Sequence, residues 1–330
     1  MIPKVSILVP VYKTSAYIEK CAISLFNQTF EDIEYIFVND ATPDDSIEKL
    51  QKIIEQYPNR KNKIRIINHP TNRGSAAAKN SAIDASNGYF ISFVDSDDYI
   101  EPEMVEVLYN KAIEEDADVV VSNLIIEFEN KSVIFNDRIY DKSEDNFIHM
   151  ILHKETSSSM CNKLVKSSLY KRFDCRVPEN LNYCEDWHIM TRIYYFANKT
   201  VKTDQAFYHY IQHNTNSITR IINRMHFENL IQFWMLLDSF LIEQNLFERY
   251  QKLIEFPKLQ SKVQLLFGTN SSQLRKEYGN MFHTEEKHCI KQLRLGEKLM
   301  LFLIRHKQFW LTQIFRSYLL IKNKKYIKKQ

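Results

Sequence analysis

The sequence predicts an α/β fold: a Rossmann-like, mostly parallel sheet flanked by helices, continued by an α-helical C-terminal region. Three observations predict it. Short β-branched runs alternate with segments of helical period through the first 122 residues. Those runs are apolar throughout, as in strands covered on both faces. From about Met225 onward the helical period stands almost alone. Strands separated by helices imply right-handed βαβ units.

VSILVPVY (5–12) reads as the first strand, and Ser15 to Gln28 carries Ile18, Cys21, Ala22, Leu25 and Phe26 at helical spacing. IEYIFV (33–38) is the second strand, Ile47, Leu50, Ile53 and Ile54 mark a helix, and IRIIN (64–68) is the third strand. The Ala-rich segment after Gly74 is helical and YFISFV (89–94) is the fourth strand. Pro102 suits the first turn of a helix whose buried face is Val105, Leu108, Ala112 and Ile113, before the strand DVVVS (118–122). Asn123 to Asp145 is polar and strand-like in places, and Glu185 to Ala197 is helical. Phe227, Leu230, Ile231, Trp234, Leu237 and Phe240 define the apolar face of a later helix. A boundary is expected near residue 222.

A chain of 330 residues can bury a real core, and a formal charge of +3 is too small to imply a nucleic-acid partner. The five cysteines, Cys21, Cys161, Cys175, Cys184 and Cys289, are scattered and never form CxxC, so neither a disulfide framework nor a zinc site is suggested. No basic leader precedes the first apolar run, and no stretch approaches the roughly twenty apolar residues of a membrane span. A cytoplasmic protein is expected.

The strand at 89–94 ends in FVDSDDYI, which places Asp95, Asp97 and Asp98 within four residues. Ligands of parallel sheets sit beyond the carboxyl ends of the strands, where Asp40 and Asp95 both fall. The chain has five glycines and neither GxGxxG nor GxxxxGK[ST], so a standard dinucleotide or P-loop site is disfavoured. Phosphate charge must then be met another way. Asp95 and Asp97 supply hard oxygen donors suited to Mg²⁺ or Mn²⁺, and such a cation can neutralise a diphosphate leaving group. Taken alone, DSDD is equally an acidic turn, with Asp98 capping the helix that begins near Pro102.

SILVPVY (6–12), FVNDATPDDS (37–46), NRGSAAAKNSAI (72–83), YFISFVDSDDYIEPEM (89–104), CNKLVKSSLY (161–170) and CEDW (184–187) follow one another as in family 2 glycosyltransferases of the GT-A fold, bacterial polysaccharide type. The resemblance covers residues 3 to 220. It implies a 1–222 glycosyltransferase domain, with a nucleotide-sugar-binding half (1–122) and an acceptor-side half (123–222), and a separate helical region, 223–330. It further implies that Tyr12 stacks on the donor nucleobase, that Asp40 bonds the base and that Lys79, where the family usually has Arg, lies near the nucleotide. Asp95 and Asp97 resemble the DxD pair that meets ribose and metal, and Asp186 resembles the catalytic base, with Glu185 beside it toward the acceptor. His209 is a candidate third metal ligand, as is His213; a lone histidine in a strand is otherwise a hydrogen-bonded core or surface residue. The sequence departs from the family at Lys13, which replaces Asn, at Asn39-Asp40-Ala41-Thr42, which replaces DDGS, and at Cys161, which replaces Trp.

The resemblance thus implies an inverting transferase that uses a nucleotide-sugar donor, UDP-linked by the family's habit, and a saccharide or lipid-linked acceptor. Displacement of a nucleoside diphosphate needs a base on the acceptor side and charge neutralisation on the leaving side. Outside that context, Glu185 and Asp186 read as acids favourable to a helix N-terminus. A sugar nucleotidyltransferase and a catalytically silent membrane-attached scaffold are the rival readings. The first lacks a Gly-rich basic loop near the first strand, and the second does not account for the intact DxD and ED pairs.

From Lys291 to Gln330 eleven basic residues face one acid, Glu297, and alternate with Leu299, Phe302, Leu303, Phe309, Trp310, Ile314, Phe315 and Leu319. Such a basic aromatic helix reads as peripheral on the anionic inner face of the cell membrane. A homo-oligomer contact, or packing on the catalytic domain, is the alternative use of that face.

Overall fold

The computed structural model describes residues 3–152, 156–173, 175–212, 214 and 221–317. His213 and the end of the basic tail, 318–330, lie outside the described residues. The chain divides into two compact units, Met1–Asn216 and Ser217–Gln330.

The first unit runs β1 (Val5–Val11), α1 (Ile18–Phe26), β2 (Ile33–Asn39), α2 (Ser46–Glu55), α3 (Pro58–Lys61), β3 (Ile64–Asn68), α4 (Ser75–Ala85), β4 (Phe90–Phe93), β5 (Tyr99–Ile100), α5 (Met104–Glu114), β6 (Val119–Glu127), β7 (Ser132–Phe135), α6 (Ser143–Ile151), β8 (Lys163–Lys166), α7 (Ser167–Arg172), α8 (Glu185–Phe196) and β9 (Thr200–Ile211). Among the described residues these strands form one sheet of order β3-β2-β1-β4-β8-β6-β9-β5, with β7 beside β6. The strands read from the sequence at the N-terminal side, β3, β2, β1 and β4, are parallel. β8 then runs antiparallel to both its neighbours, β6 and β9 are parallel, and β5 is antiparallel to β9. The mostly parallel expectation holds for the half that carries Tyr12, Asp40 and Asp95. The other half is mixed, and its antiparallel β8 and β5, of four and two residues, are too short to show a period of their own in the sequence.

The core follows from the apolar runs. β1 and β2 are buried over almost their whole length, and Ile18, Cys21, Ala22, Leu25 and Phe26 of α1 pack on them as the helical spacing requires. Since β1, β2 and β4 are parallel, with Val11 opposite Asn39 and Leu8 opposite Phe93, the residues that follow them leave one edge of the sheet. At the other edge Glu34 ties the strands together. Its carboxylate accepts from Ser6 Oγ (2.6 Å), Gly88 N (3.1 Å) and Arg65 Nη2 (2.8 Å), joining β1, β3 and the entry to β4.

The second unit contains α9 (Arg224–Glu243), α10 (Phe247–Gly268), α11 (Ser272–Tyr278), α12 (His283–Cys289) and α13 (Leu295–Arg305), and residues 309–317 are also helical. Phe227, Leu230, Trp234, Leu237 and Phe240 are buried as the period predicts, while Ile231 is half-buried and Phe233 and Leu241 complete the packed face. A buried ion network joins α10, α12 and α13: Glu286 receives Lys262 Nζ and Arg305 Nη2, each at 2.6 Å. Among the described residues no helix is long and apolar enough to cross a membrane.

Glu34→Ala removes the acceptor from the buried Ser6 hydroxyl and weakens the hold on Gly88. It is expected to destabilise the chain by about 2–3 kcal/mol, seen as a lower urea midpoint at unchanged slope.

Candidate active site

The loops that follow β1, β2 and β4 are fixed by side-chain hydrogen bonds. Asp40, directly after β2, is buried, and its carboxylate accepts from Arg73 N (2.9 Å) and Gly74 N (2.8 Å) and lies 2.7 Å from His69 Nδ1. These bonds fold the 69–74 loop so that Gly74, at φ +89°, starts α4. A side chain at Gly74 would be excluded twice over, by that φ and by Asn182, whose Oδ1 would lie 2.3 Å from the added Cβ. A carboxylate has about four acceptor positions, so with three partners in place Asp40 retains one for a ligand.

Tyr12 follows β1 and is 40% exposed, with Lys13 Nζ 5.2 Å from its ring centroid. Lys13 and Ala41 both adopt left-handed conformations, φ 54° and 52°. Their loops are joined by Lys13 N donating to Thr42 Oγ1 at 2.8 Å. At position 41 the family's Gly would sit without the steric cost that a Cβ imposes there, and at position 13 its Asn would offset part of that cost by local hydrogen bonding of its short side chain. The departures therefore keep the backbone path and load it with strain.

Beyond β4, the DSDD segment makes a tight turn closed by Asp98 N donating to Asp95 O at 3.0 Å. Asp98 does not cap α5, whose N-cap is Glu103. Its buried carboxylate instead accepts from Ile211 N and from Tyr208 Oη, both at 2.7 Å, and Tyr208 Oη in turn accepts from Asp95 N at 3.0 Å. β9 is thus the strut behind the turn. Asp95 and Asp97 remain half-buried, with Asp97 Oδ2 accepting from Asn214 Nδ2 at 2.7 Å.

Facing them, α4 carries the buried Lys79. Its ammonium donates to Glu185 Oε1 at 3.1 Å and to Asp186 Oδ1, the first two residues of α8, and Ser75 Oγ also donates to Glu185 Oε1, at 3.0 Å. Burial alone would lower the Lys79 pKa, but the Asp186, Glu185 and Asp95 carboxylates outweigh it and hold the ammonium well above the usual lysine range. Lys79, Glu185, Asp186 and Asp95 therefore form one electrostatic cluster. Glu185 and Asp186 also satisfy the helix-terminus reading, since they head α8.

His209 is not part of that cluster. Its Nε2 lies 2.8 Å from Glu101 and its Nδ1 2.7 Å from Glu127, and its ring stacks on Tyr99. Neighbouring side chains in a strand point to opposite faces, so with Tyr208 aimed at the DSDD turn, His209 faces away from it. The metal role expected for His209 has no geometric support, because both ring nitrogens already have partners. Cys184 is the left-handed N-cap of α8, and burial, then Glu185, raises its thiol well above the usual range, so it is a packing residue. The motifs did not reveal His69, Asn182, Tyr208 or Asn214.

Burial first, then Asp186, Asp97 and Glu185, push the Asp95 pKa up from 3.8 to about 7, against the pull of Lys79. A raised carboxyl pKa favours the folded state below 3.8, and this contribution is lost as pH rises through about 7. Ligand-free Asp95→Asn is therefore expected to melt higher than the parent at pH 8, with the gap closing as pH falls toward 4. Ala41→Gly relieves the left-handed strain and should add about 0.5–1 kcal/mol of stability by urea unfolding.

Residues 6–174 match the model of glycosyl transferase family 2. The chain is 32% identical over 271 residues to a putative glycosyltransferase, EpsH, of Bacillus subtilis (strain 168), covering 80% of this chain and 77% of that one. Among solved structures, S. aureus TarS 1-349 in complex with UDP superposes with a TM-score of 0.64 at 20% identity, over 99% of this chain and 92% of that one. The mannosyltransferase PcManGT from Pyrobaculum calidifontis, in complex with GDP-Man and Mn²⁺, gives 0.53 at 13% identity, over 100% and 88%. At such identities the structural likeness speaks for the GT-A-like fold alone. Together with the matched motif region and the B. subtilis relative, it makes this chain a member of glycosyl transferase family 2.

Proposed function

We propose that the chain transfers a sugar from a nucleoside diphosphate donor, a UDP-sugar, to a hydroxyl of a saccharide acceptor, with inversion at the anomeric carbon, in the assembly of a surface polysaccharide. The observation that carries the reading is the Lys79 cluster, which draws the acids heading α8 up to the acids at the sheet rim. A base and a leaving-group site are thereby held in one place. The UDP complex of the similar TarS fold supports the choice of donor.

In this scheme Asp186, about one third exposed, accepts the proton of the acceptor hydroxyl. The freed oxygen forms the new glycosidic bond as the bond from the anomeric carbon to the diphosphate oxygen breaks, and the nucleoside diphosphate leaves with the electron pair. A single displacement of this kind inverts the centre. Glu185, fixed by Ser75 and Lys79, orients the acceptor. Tyr12 stacks on the base and Asp40 offers it its remaining acceptor position.

The donor set fits Mg²⁺ or Mn²⁺. Asp95 and Asp97 are two half-buried carboxylates, and burial and like charge disfavour ionised Asp95 when no cation neutralises it. Among the described residues no group of three or more His, Cys, Asp or Glu is arranged for a metal; a cation here would take one or both of these carboxylates and complete its shell with substrate phosphates and water. When bound, the cation supplies charge neutralisation to the departing diphosphate. The Mn²⁺ complex of PcManGT supports the same assignment.

Asp186→Asn tests the reading. Transfer from a UDP-sugar should fall by about 10²–10⁴-fold while calorimetric UDP affinity changes only a few-fold. Turnover at the parent rate would remove Asp186 from the chemistry. Loss of UDP binding together with turnover would make the cluster a structural support for the donor site.

A further inference from the structure

The second unit turns an unusual set of side chains outward. On α13, Leu295, Leu299 and Phe302 recur at helical spacing and are 84%, 41% and 55% exposed, while Met300, Leu301 and Ile304 fill the inner side. On the helical segment 309–317, Trp310 and Ile314 are 63% and 59% exposed. The inner side of that segment holds polar groups beside Phe315, whose ring lies 6.4 Å from that of Phe267. Buried Thr312 accepts from Arg275 Nη1 at 3.3 Å, Gln313 Oε1 accepts from the same nitrogen at 2.9 Å, and Arg316 Nε donates to Phe267 O at 2.6 Å. Arg275 Nε also donates to Leu266 O at 3.0 Å. These arginines satisfy carbonyls at the C-terminal end of α10 and pin the segment with its tryptophan outward. The segment thus holds polar contacts on its inner side while two of its large apolar side chains face outward. A Cβ at Gly296 would lie 3.6 Å from the Phe315 ring, so 309–317 folds back along α13 as one hairpin.

The exposed charge of the hairpin's own sequence has one sign, since Arg305, the basic residue that meets an acid, is paired with Glu286 of α12. Lys291, Arg294 and Lys307 are exposed and Lys298 is half-buried, and Glu297, the one acid of the stretch, is turned back onto Arg294 N at 2.7 Å. The sequence that follows adds Lys322, Lys324, Lys325, Lys328 and Lys329 and no acid.

We propose that this hairpin docks the protein on an anionic phospholipid surface, with Leu295, Leu299, Phe302, Trp310 and Ile314 entering the headgroup region and Lys291, Arg294, Lys298 and Lys307 meeting lipid phosphates. Charge complementarity selects this occupant. A symmetric pairing of two copies through the same face would bring like charges together, whereas a sheet of phosphates pairs with every one of them. An amphipathic surface needs both terms, apolar insertion and electrostatic attraction, and the hairpin supplies both. The inference stands apart from the transfer chemistry, and its test does not use turnover.

The test is co-sedimentation of the full chain with vesicles of phosphatidylcholine alone or with about 30 mol% phosphatidylglycerol. Partition should be at least about tenfold stronger with the anionic lipid and should weaken as salt rises, with a blue shift of tryptophan fluorescence in the parent. Phe302→Ser with Trp310→Ser should lower partition about tenfold, and Lys291→Glu with Lys298→Glu should remove the preference for anionic lipid. All four side chains lie at or near the surface, so unchanged circular dichroism is expected. If the apolar pair misfolds, the charge-reversal pair decides. Equal or absent partition to both vesicles overturns the proposal. So does self-association in sedimentation velocity that the apolar pair abolishes, because a second copy would then be the occupant.

Discussion

The candidate site depends on one buried ammonium. Lys79 lies on a helix of the nucleotide-side half, and its partners, Glu185 and Asp186, head a helix from the other half of the same unit. Without it, Glu185, Asp186 and Asp95 would be three carboxylates facing one another in a poorly hydrated pocket. Removing one member of a buried ion pair costs about 3–5 kcal/mol, because the remaining charge keeps its desolvation penalty and loses its partner. Lysine suits this place as a compact charge with three donors, which can serve two separate carboxylates; the planar fork of arginine would favour bidentate pairing with one of them.

One ammonium does not balance the cluster. Asp98 is relieved by the Ile211 amide and the Tyr208 hydroxyl, which make it part of the scaffold. Asp97 has the Asn214 amide. Asp95 has its backbone N–H anchored on Tyr208, and its own carboxyl is pushed toward neutrality by burial. The concentration of acids at the end of β4 is therefore divided: Asp98 builds the turn, and Asp95 and Asp97 are the pair that the proposed function assigns to a cation. That division explains why a strand so apolar ends in so many carboxylates. A group that served only the fold would be satisfied within it, as Asp98 is.

Much of this was legible before the structure. The alternation of apolar runs and helical periods places β1 to β4 and α1, α2 and α4 within a few residues of where they lie, because long periodic elements carry their own signal. The strand ends then put Tyr12, Asp40 and Asp95 on one edge without further information. What was not legible depends on contacts between residues remote in sequence. Asp98 reads as a helix cap from its neighbours, and it becomes a strut only because β9, more than a hundred residues later, runs behind it. His209 reads as a ligand from its residue type, and the pleat of β9 turns it toward Glu101 and Glu127. Asn182 carries no local signal, yet it fills the space beside Gly74 and accepts from Ala76 N at 3.1 Å.

The mixed half of the sheet gains a physical rationale from the same contacts. A purely parallel sheet would bring a new strand to the rim only through another crossover helix. Inserting the antiparallel β8 next to β4 and running β6 and β9 beyond it brings the C-terminal part of β9 back behind the turn that β4 opens, where β5 pairs with it. Tyr208 then reaches both the Asp95 amide and the Asp98 carboxylate from one strand position. Asp95 is consequently held through its backbone N–H on the Tyr208 phenol and not through its carboxyl group, while one oxygen of Asp97 accepts from Asn214. The bonds that shape the turn, through the Asp95 amide and the Asp98 carboxylate, are thus separate from the Asp95 carboxyl group, as the proposed binding and release of a charged donor would require.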